Sequence, residues 1–473
     1  MYVRPCVARA RRPVAVALSR NAMRLRCRTA RRLLVFHGHL VCEKEKGEVM
    51  RIWSRFALCF FGMNAIAWPV DLASAQQPVR IGVLLPVTGP FAKNGIENWE
   101  AMQIARDMIN ERGGISGRKI EYLQGDATSP NAGISETERL ITKDGIKITT
   151  GSFASPLAIA VSQAAERHGV FHWETTGAAE IITRRGFKHT FQVGAPARRY
   201  SQAAFDFVID DLAKRLNKPA ADLRIALLWE NRAFGKSVGD GVRAYSESKK
   251  IKLVYDEGYD QFATDMTPIV QKLKDVKPDV LIAVSFPNDA ILFQRKAKEI
   301  DFNVAAFIGV SAGYSSPDLR NSIGDSVVGL FVSDFPPKVN ASVLKPEVRK
   351  IADEFYKRYE DKMKRPPAGH AAAGFSAIWA LFTEVFPKAK TFEPDELREI
   401  ALKLDLPEGS LVNGSGIKFT NFDWAEDPKD AGQNLRASIG VWQWTKAGNE
   451  QVFPAQLATA APAMVPLPDW SKR

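Results

Sequence analysis

The chain has 473 residues, 45% hydrophobic and 25% charged, with a formal net charge of +12. That composition excludes a disordered or fibrous chain, and the length provides for roughly two or three domains. The charge does not signal a polyanion partner, because residues 1–75 hold 14 Lys and Arg against 4 Asp and Glu while residues 76–473 hold 51 against 49. No nucleic-acid partner is expected. Cys6, Cys27, Cys42 and Cys59 also all precede residue 76. The rest of the chain therefore offers no disulfide framework, zinc–cysteine site, iron–sulfur cluster or thiol nucleophile.

In chain order, residues 1–49 are Arg-rich, with no acid before Glu43. They read as an extension ahead of a true start at Met50, the alternative being an organelle transit peptide. From Met50 the pattern is that of a secretory signal. Arg51 and Arg55 are basic, Phe56–Trp68 is apolar, and Ala73-Ser74-Ala75 supplies small residues for cleavage before Gln76. The apolar run is too short to span a bilayer, and no later run is long enough. The expectation is a soluble, periplasmic mature chain.

A first series of alternating elements follows. Val79–Leu85 is a buried strand, residues 96–111 a helix, and Lys119–Leu123 a strand. Residues 134–143 are helical, Lys147–Thr150 a strand, 156–168 a helix, and Val170–Trp173 a strand. A second series starts with the strand Leu223–Trp229 and helix 236–249. It continues with strand Lys252–Tyr255, helix 264–275, strand Val280–Val284, helix 288–300 and strand Ala305–Gly309. Helices are expected at 346–362, 369–386 and 394–403, a strand at Val441–Trp444, and an extended tail after Phe453. Strand and helix alternating at this spacing imply two doubly wound α/β lobes with parallel sheets.

No GxGxxG, GxxxxGK[ST], HExxH or GxSxG stands at a strand end, so no nucleotide cradle, metalloprotease helix or nucleophile elbow is expected. No cofactor and no catalytic residue is expected. His172 and Glu174 alternate at a strand end and could form half a metal site, but no third ligand has suitable spacing; strand-end polarity accounts for them. Gly151-Ser152-Phe153-Ala154-Ser155-Pro156 closes a strand and opens a helix. Ser155 suits an N-cap and Pro156 the first helical turn, which would present N–H groups to a carboxylate or merely cap the helix. Other strand ends carry Phe91 and Asn94, Thr175-Thr176-Gly177, Asn231 and Phe234, Ser285 and Phe286, and Ser311 and Tyr314. Coming from both series, they suit a small molecule held between two lobes.

These residues resemble a known family. Ile81-Gly82-Val83 with Thr88-Gly89-Pro90, and Gly113-Gly114-Ile115-Ser116-Gly117-Arg118, are its first marks. Gly151 with Ser155, Thr183-Arg184-Arg185-Gly186-Phe187, Ala233-Phe234-Gly235, Lys277-Pro278-Asp279 and Trp442-Gln443-Trp444 follow in order. Residues 79–450 are thus similar to the type I periplasmic binding proteins of the branched-chain amino acid (leucine/isoleucine/valine) ABC transport family. The resemblance implies two lobes joined by three crossings, with 79–195 and 335–415 in the first lobe and 196–334 and 416–450 in the second. It also implies a monomer that delivers a small carboxylate, amide or amino acid to an ABC permease at the inner membrane.

The implied ligand-binding residues are Asn94, Phe153, Ser155, Thr176, Gly177, Phe234, Phe286 and Ser311. Ser155 and the backbone near Thr176 would hold the ligand carboxylate. Phe234 and Phe286 keep the family's rings without the usual tyrosine hydroxyls. Asn94 replaces a tyrosine, and Ser311 replaces the family's ammonium-binding glutamate. Losing that carboxylate disfavours an α-amino acid unless Glu174 faces the cleft; otherwise Glu174 is a solvated strand-end acid. A ligand sensor feeding a regulator, and an exported α/β enzyme, are the alternative functions.

Overall fold

The computed structural model describes residues 77–336, 338–423 and 427–473. The expected extension and signal segment, residues 1–75, lie outside the described residues. The first sheet is built from β1 (Val79–Leu85), β2 (Ile120–Asp126), β3 (Ile148–Gly151), β4 (Phe171–Glu174) and β5 (Thr190–Gln192). All are parallel, in the order β2-β1-β3-β4-β5, linked through α1 (Ala92–Glu111), α2 (Pro130–Thr142) and α3 (Ser155–Arg167). Alternate residues of β1 go to opposite faces, as a pleated strand requires. Ile81, Val83 and Leu85 join the core beneath α1, while Leu84 packs with Leu140 and Val161 from α2 and α3.

The chain then crosses into a second layer. Helix α4 (Ala197–Phe207) runs through a π turn into α5 (Ala213–Arg215). Next come β6 (Ile225–Glu230), α6 (Ala233–Ser248), β7 (Leu253–Tyr259), α7 (Thr267–Val276), β8 (Val280–Val284) and α8 (Pro287–Glu299). After β9 (Ala306–Val310), α9 (Ala312–Ser315) and α10 (Pro317–Ile323) lead to β10 (Phe331–Asp334). A second crossing returns the chain to the first sheet through α11 (Pro346–Met363), α12 (Gly369–Ala380) and α13 (Pro394–Leu402). Finally β11 (Gly440–Trp444) and β12 (Asn449–Phe453) add antiparallel strands beside β10, giving the order β12-β11-β10-β9-β8-β6-β7. Again the faces alternate: Ile225, Leu227, Ile282 and Val284 lie in one cluster, and Ala226, Leu228, Leu281 and Ala283 in the other. Two doubly wound lobes joined by three crossings are therefore present.

Three strands, β5, β10 and β12, escaped the sequence reading. Each is short and lies next to loop-like sequence, so periodicity alone does not show it. The last crossing also comes late. Ile417 and Phe419 pack in the first core, Phe419 lies edge-on to Trp173 and Phe191, and Asn434 N–H donates to the carbonyl of Gln192 at 3.1 Å. We therefore place the third crossing between Asn434 and Gly440 rather than at residue 416.

The tail after Phe453, expected to run extended, contains turns and a 3-10 turn at Trp470–Lys472, and it is docked. Leu467 N–H donates to the Ala305 carbonyl at 2.7 Å, Trp470 Nε1 to the Phe302 carbonyl at 3.0 Å, and Arg473 stacks on Trp470 at 3.9 Å. Leu467 is buried in the second lobe's core. Leu467→Ala is expected to destabilise the chain by about 2–4 kcal/mol in urea unfolding; a change near zero would show a tail that contributes nothing to the fold.

Candidate ligand site

Each sheet order reverses once. In the first sheet the reversal falls between β1 and β3, in the second between β6 and β8. Loops leaving the carboxyl ends of such neighbours run to opposite faces and leave a crevice between them. Phe91 follows β1, Phe153 and Ser155 follow β3, Phe234 follows β6, and Phe286 follows β8. Topology thus brings together residues far apart in sequence.

The rings meet in a closed circuit. Phe91 lies 5.0 Å from Phe286, Phe286 6.0 Å from Phe234, and Phe234 5.8 Å from Tyr200. Tyr200 is 5.9 Å from Phe335, Phe335 5.4 Å from His370, His370 5.3 Å from Phe153, and Phe153 6.3 Å from Phe91. Most contacts are tilted or edge-on, the geometry that aromatic quadrupoles favour. Both lobes and the second crossing contribute. The lobes also touch through an ion pair between Lys93 of α1 and Asp318 of α10, and through the Glu180 N–H, which donates to Ser237 Oγ at 3.4 Å. A groove of about 570 Å3 runs outside the belt along the second crossing and shares Phe335 with it.

Buried acids set the loops that carry these rings. Glu174 is fully buried. Its Oε2 accepts from the N–H and the hydroxyl of Ser152 at 2.9 and 3.0 Å, and its Oε1 from the N–H groups of Thr176 and Gly177 at 3.2 and 2.8 Å. His172 Nε2 stands 3.3 Å from Oε2, and its Nδ1 faces Thr149 Oγ1 at 3.1 Å. Neither expectation for Glu174 holds: it is neither solvated nor a free cleft charge, because it ties the β3 loop to the β4 loop. His172 is a structural partner, and no group of three or more candidate metal ligands occurs among the described residues. Beside them Gly151 has φ +114°, and a Cβ there would meet the Leu84 carbonyl oxygen at 2.1 Å.

In the second lobe Glu230 accepts from the N–H groups of Gly235 and, at 2.8 Å, Arg232, setting the start of α6. Asp289 accepts from the Phe286 N–H at 3.0 Å and from the Tyr259 hydroxyl. Burial pushes both carboxyls up, to about 7 each.

The expected site residues sort as follows. Phe153, Phe234 and Phe286 join the belt. Ser155 is not the N-cap; Ala154 holds that position and Ser155 is the first helical residue. Its Oγ accepts from the N–H groups of Ala178 and Ala179 at 3.3 and 3.0 Å, which leaves the hydroxyl hydrogen to donate elsewhere. Thr176 and Gly177 have their N–H groups committed to Glu174, and the Thr176 hydroxyl donates to the Ser152 carbonyl at 3.1 Å. The backbone expected to hold a ligand carboxylate is thus engaged within the protein. Asn94 is buried in the first turn of α1, where its carbonyl accepts from Asn98. Ser311 sits at φ +61° after β9, with Oγ 3.4 Å from His370 Nε2.

Sequence reading missed Tyr200, Asp334 and Phe335, and saw His370 only as one of several histidines. Asp334 closes β10 and is fully buried, with Oδ2 3.2 Å from His370 Nε2. Burial, then the Asp334 carboxylate, push the Tyr200 hydroxyl well above its usual range, with Ser311 opposing. The apolar run Val327–Val332 (broken by Gly329) was the available signal for β10, and with it for Asp334 at a strand end.

Glu174→Gln keeps one acceptor oxygen for Thr176 and Gly177 but turns an NH2 group toward the Ser152 N–H, and is expected to cost about 2–3 kcal/mol in urea unfolding, whereas a solvated acid would cost almost nothing. Burial pushes the Asp289 carboxyl up to about 7, well above the ordinary aspartate value of about 3.9. Its favourable contribution is complete below the unfolded value and is lost as pH rises through 7. Stability should therefore fall between about pH 4 and 7, and Asp289→Asn, which can still accept from Phe286 and donate to Tyr259, should show a shallower fall. An equal loss of unfolding free energy between those two pH values in the parent and the variant, each measured by urea titration, would contradict this.

Residues 78–437 match the model of a family described as periplasmic binding protein. A Leu/Ile/Val-binding protein homolog 8 from Brucella abortus is 28% identical over 388 residues, covering 82% of this chain and 93% of its own. The branched-chain amino acid substrate-binding protein LivJ of Streptococcus pneumoniae, solved with isoleucine, superposes with a TM-score of 0.65 at 19% identity, over 80% of this chain and 100% of its own. A solute-binding protein of an ABC transporter from Rhodopseudomonas palustris, solved with 3,4-dihydroxybenzoic acid, has a TM-score of 0.63 at 18% identity, over 84% of this chain and 99% of its own. With the two-lobed fold and the strand-end site between the lobes, this chain belongs to the periplasmic binding protein family of solute-binding proteins and has its type I fold.

Proposed function

We propose that the protein is the periplasmic solute-binding component of an ABC importer, and that it takes a small carboxylate with an aromatic or apolar body between its lobes. The observation that carries this reading is the closed aromatic belt. A ring or branched chain held inside it exchanges water for aromatic contact on several sides. Ser155 supports the carboxylate assignment, since its hydroxyl hydrogen is left to donate and it stands at the start of α3. The ligand in the R. palustris structure, an aromatic carboxylate, accords with it. Closure around the ligand would present both lobes to a permease.

One observation favours a second reading. Asp334 puts a carboxylate at the end of the strand next to β9, which Ser311 follows, and Ser311 N–H donates to the Ser333 carbonyl at 3.0 Å. An α-ammonium group could pair with it, which would make the ligand an amino acid, as in LivJ. Thermal unfolding against benzoate, isovalerate, leucine and valine separates the two. A ligand at 100 times its dissociation constant adds about 2.7 kcal/mol. Stabilisation by the carboxylates alone is the expected outcome; stabilisation by leucine or valine alone would overturn the carboxylate reading and favour Asp334 as an ammonium partner. Ser155→Ala is expected to weaken binding of the active carboxylate by about 1–3 kcal/mol in calorimetric titration, and an unchanged affinity would remove Ser155 from the site.

A further inference from the structure

Three polar side chains at the belt keep hydrogen-bonding capacity that the described residues leave unused. Asp334 is fully buried; its Oδ1 accepts the Phe335 N–H at 2.8 Å, while its Oδ2 accepts no hydrogen bond and faces His370 Nε2 at 3.2 Å. His370 is 4% exposed, and its Nδ1 has no partner among the described residues. The fully buried Tyr200 hydroxyl lies near Ser311 and Asp334 without completing a hydrogen bond of normal geometry. The three come from different elements: α4 in one lobe, the end of β10, and the first turn of α12 against the other lobe. His370 stands edge-on to Phe153 and Phe335, and Tyr200 edge-on to Phe234 and Phe335, so the polar groups and the belt share walls.

Buried polar groups are nearly always paired, and a cluster left unpaired in a binding cleft calls for a partner from the ligand. We infer that Asp334, His370 and Tyr200 form a second polar subsite that reads a hydroxyl on the body of the ligand, apart from its carboxylate. This rests on the carboxylate reading above and narrows it to hydroxylated aromatic acids. A hydroxyl both donates and accepts, which matches the Asp334 acceptor beside the Tyr200 donor. A second carboxylate would be repelled by Asp334, and an apolar group would leave the Tyr200 hydroxyl without a partner and the spare capacity of Asp334 and His370 unused. An ammonium could only donate, and it would have to share Asp334 with His370.

The test is calorimetric titration of the purified chain with benzoate, 3-hydroxybenzoate and 4-hydroxybenzoate, repeated on Tyr200→Phe and Asp334→Asn. One hydroxybenzoate should bind about tenfold or more tighter than benzoate. Both variants should cut that advantage below about threefold, read as the ratio of the two affinities within each variant whatever the change in benzoate affinity itself. Tyr200→Phe keeps its ring in the belt, so it remains informative if Asp334→Asn fails to fold. Benzoate binding as tightly as both hydroxybenzoates would overturn the subsite and leave the carboxylate reading standing. Variants that lose benzoate and hydroxybenzoate equally would show a purely structural cluster and overturn it as well. If leucine binds and no benzoate does, the carboxylate reading and the subsite fall together.

Discussion

The contact on which the rest of this molecule depends is the meeting of aromatic rings between the lobes. Phe91 and Phe153 from the first sheet's loops close on Phe286, Phe234 and Tyr200 from the second, with Phe335 and His370 completing the circuit. Each tilted pair contributes only about 0.5–1.5 kcal/mol beyond its buried area. The circuit matters because no single lobe owns it. Separating the lobes breaks the Phe91–Phe286 and His370–Phe335 contacts, and under the proposed function a ligand would take the place of contacts of this kind.

Rings can close on one another only if the loops that carry them are held to a fraction of an ångström. Buried carboxyls do this in both lobes. Glu174 gathers four donors from Ser152, Thr176 and Gly177, and so joins the ends of β3 and β4. Glu230 and Asp289 act likewise on the starts of α6 and α8. The chemistry is the same in each case. A strand end leaves N–H groups without a ladder partner, and an acid with two oxygens satisfies several of them together. Burial raises the cost of the charge, visible in the upward shift of Glu230 and Asp289 to about 7. The acids are therefore structural first, and the polar groups assigned to a ligand in the proposed reading are others: the Ser155 hydroxyl on one side and the group of Tyr200, Asp334 and His370 on the other.

The aromatic belt was partly legible before the fold was seen. Phe153, Phe234 and Phe286 could be picked out because each follows an apolar run and opens a helix, and strand-end position is readable from periodicity. Ser155 was expected to cap α3, but that position falls to Ala154, since which residue caps a helix is decided by backbone angles rather than by residue type. Glu174 looked like a surface acid because sequence shows its neighbours along the chain and not the loop folded over it. Asp334 and Tyr200 were missed for a related reason. The strand that ends at Asp334 is four residues long and is recognised only by its pairing with β9 and β11. Tyr200 lies within a helix, where an aromatic residue reads as ordinary core.

Sequence alone determined the alternation of strands and helices, the absence of cysteine after residue 75, the near-neutral charge of that region, and the two-lobed class. These follow from local rules: apolar runs and their periods report burial, and composition is a sum over residues. The tertiary structure alone decided which strand ends face each other, where the third crossing lies, that the tail docks on the second lobe, and which buried acids are tied to backbone. Those outcomes depend on contacts between residues such as Asn434 and Gln192, or Tyr200 and Phe335, far apart in the chain. Pairing at that separation is settled by the packing of whole sheets and helices, which no local pattern encodes.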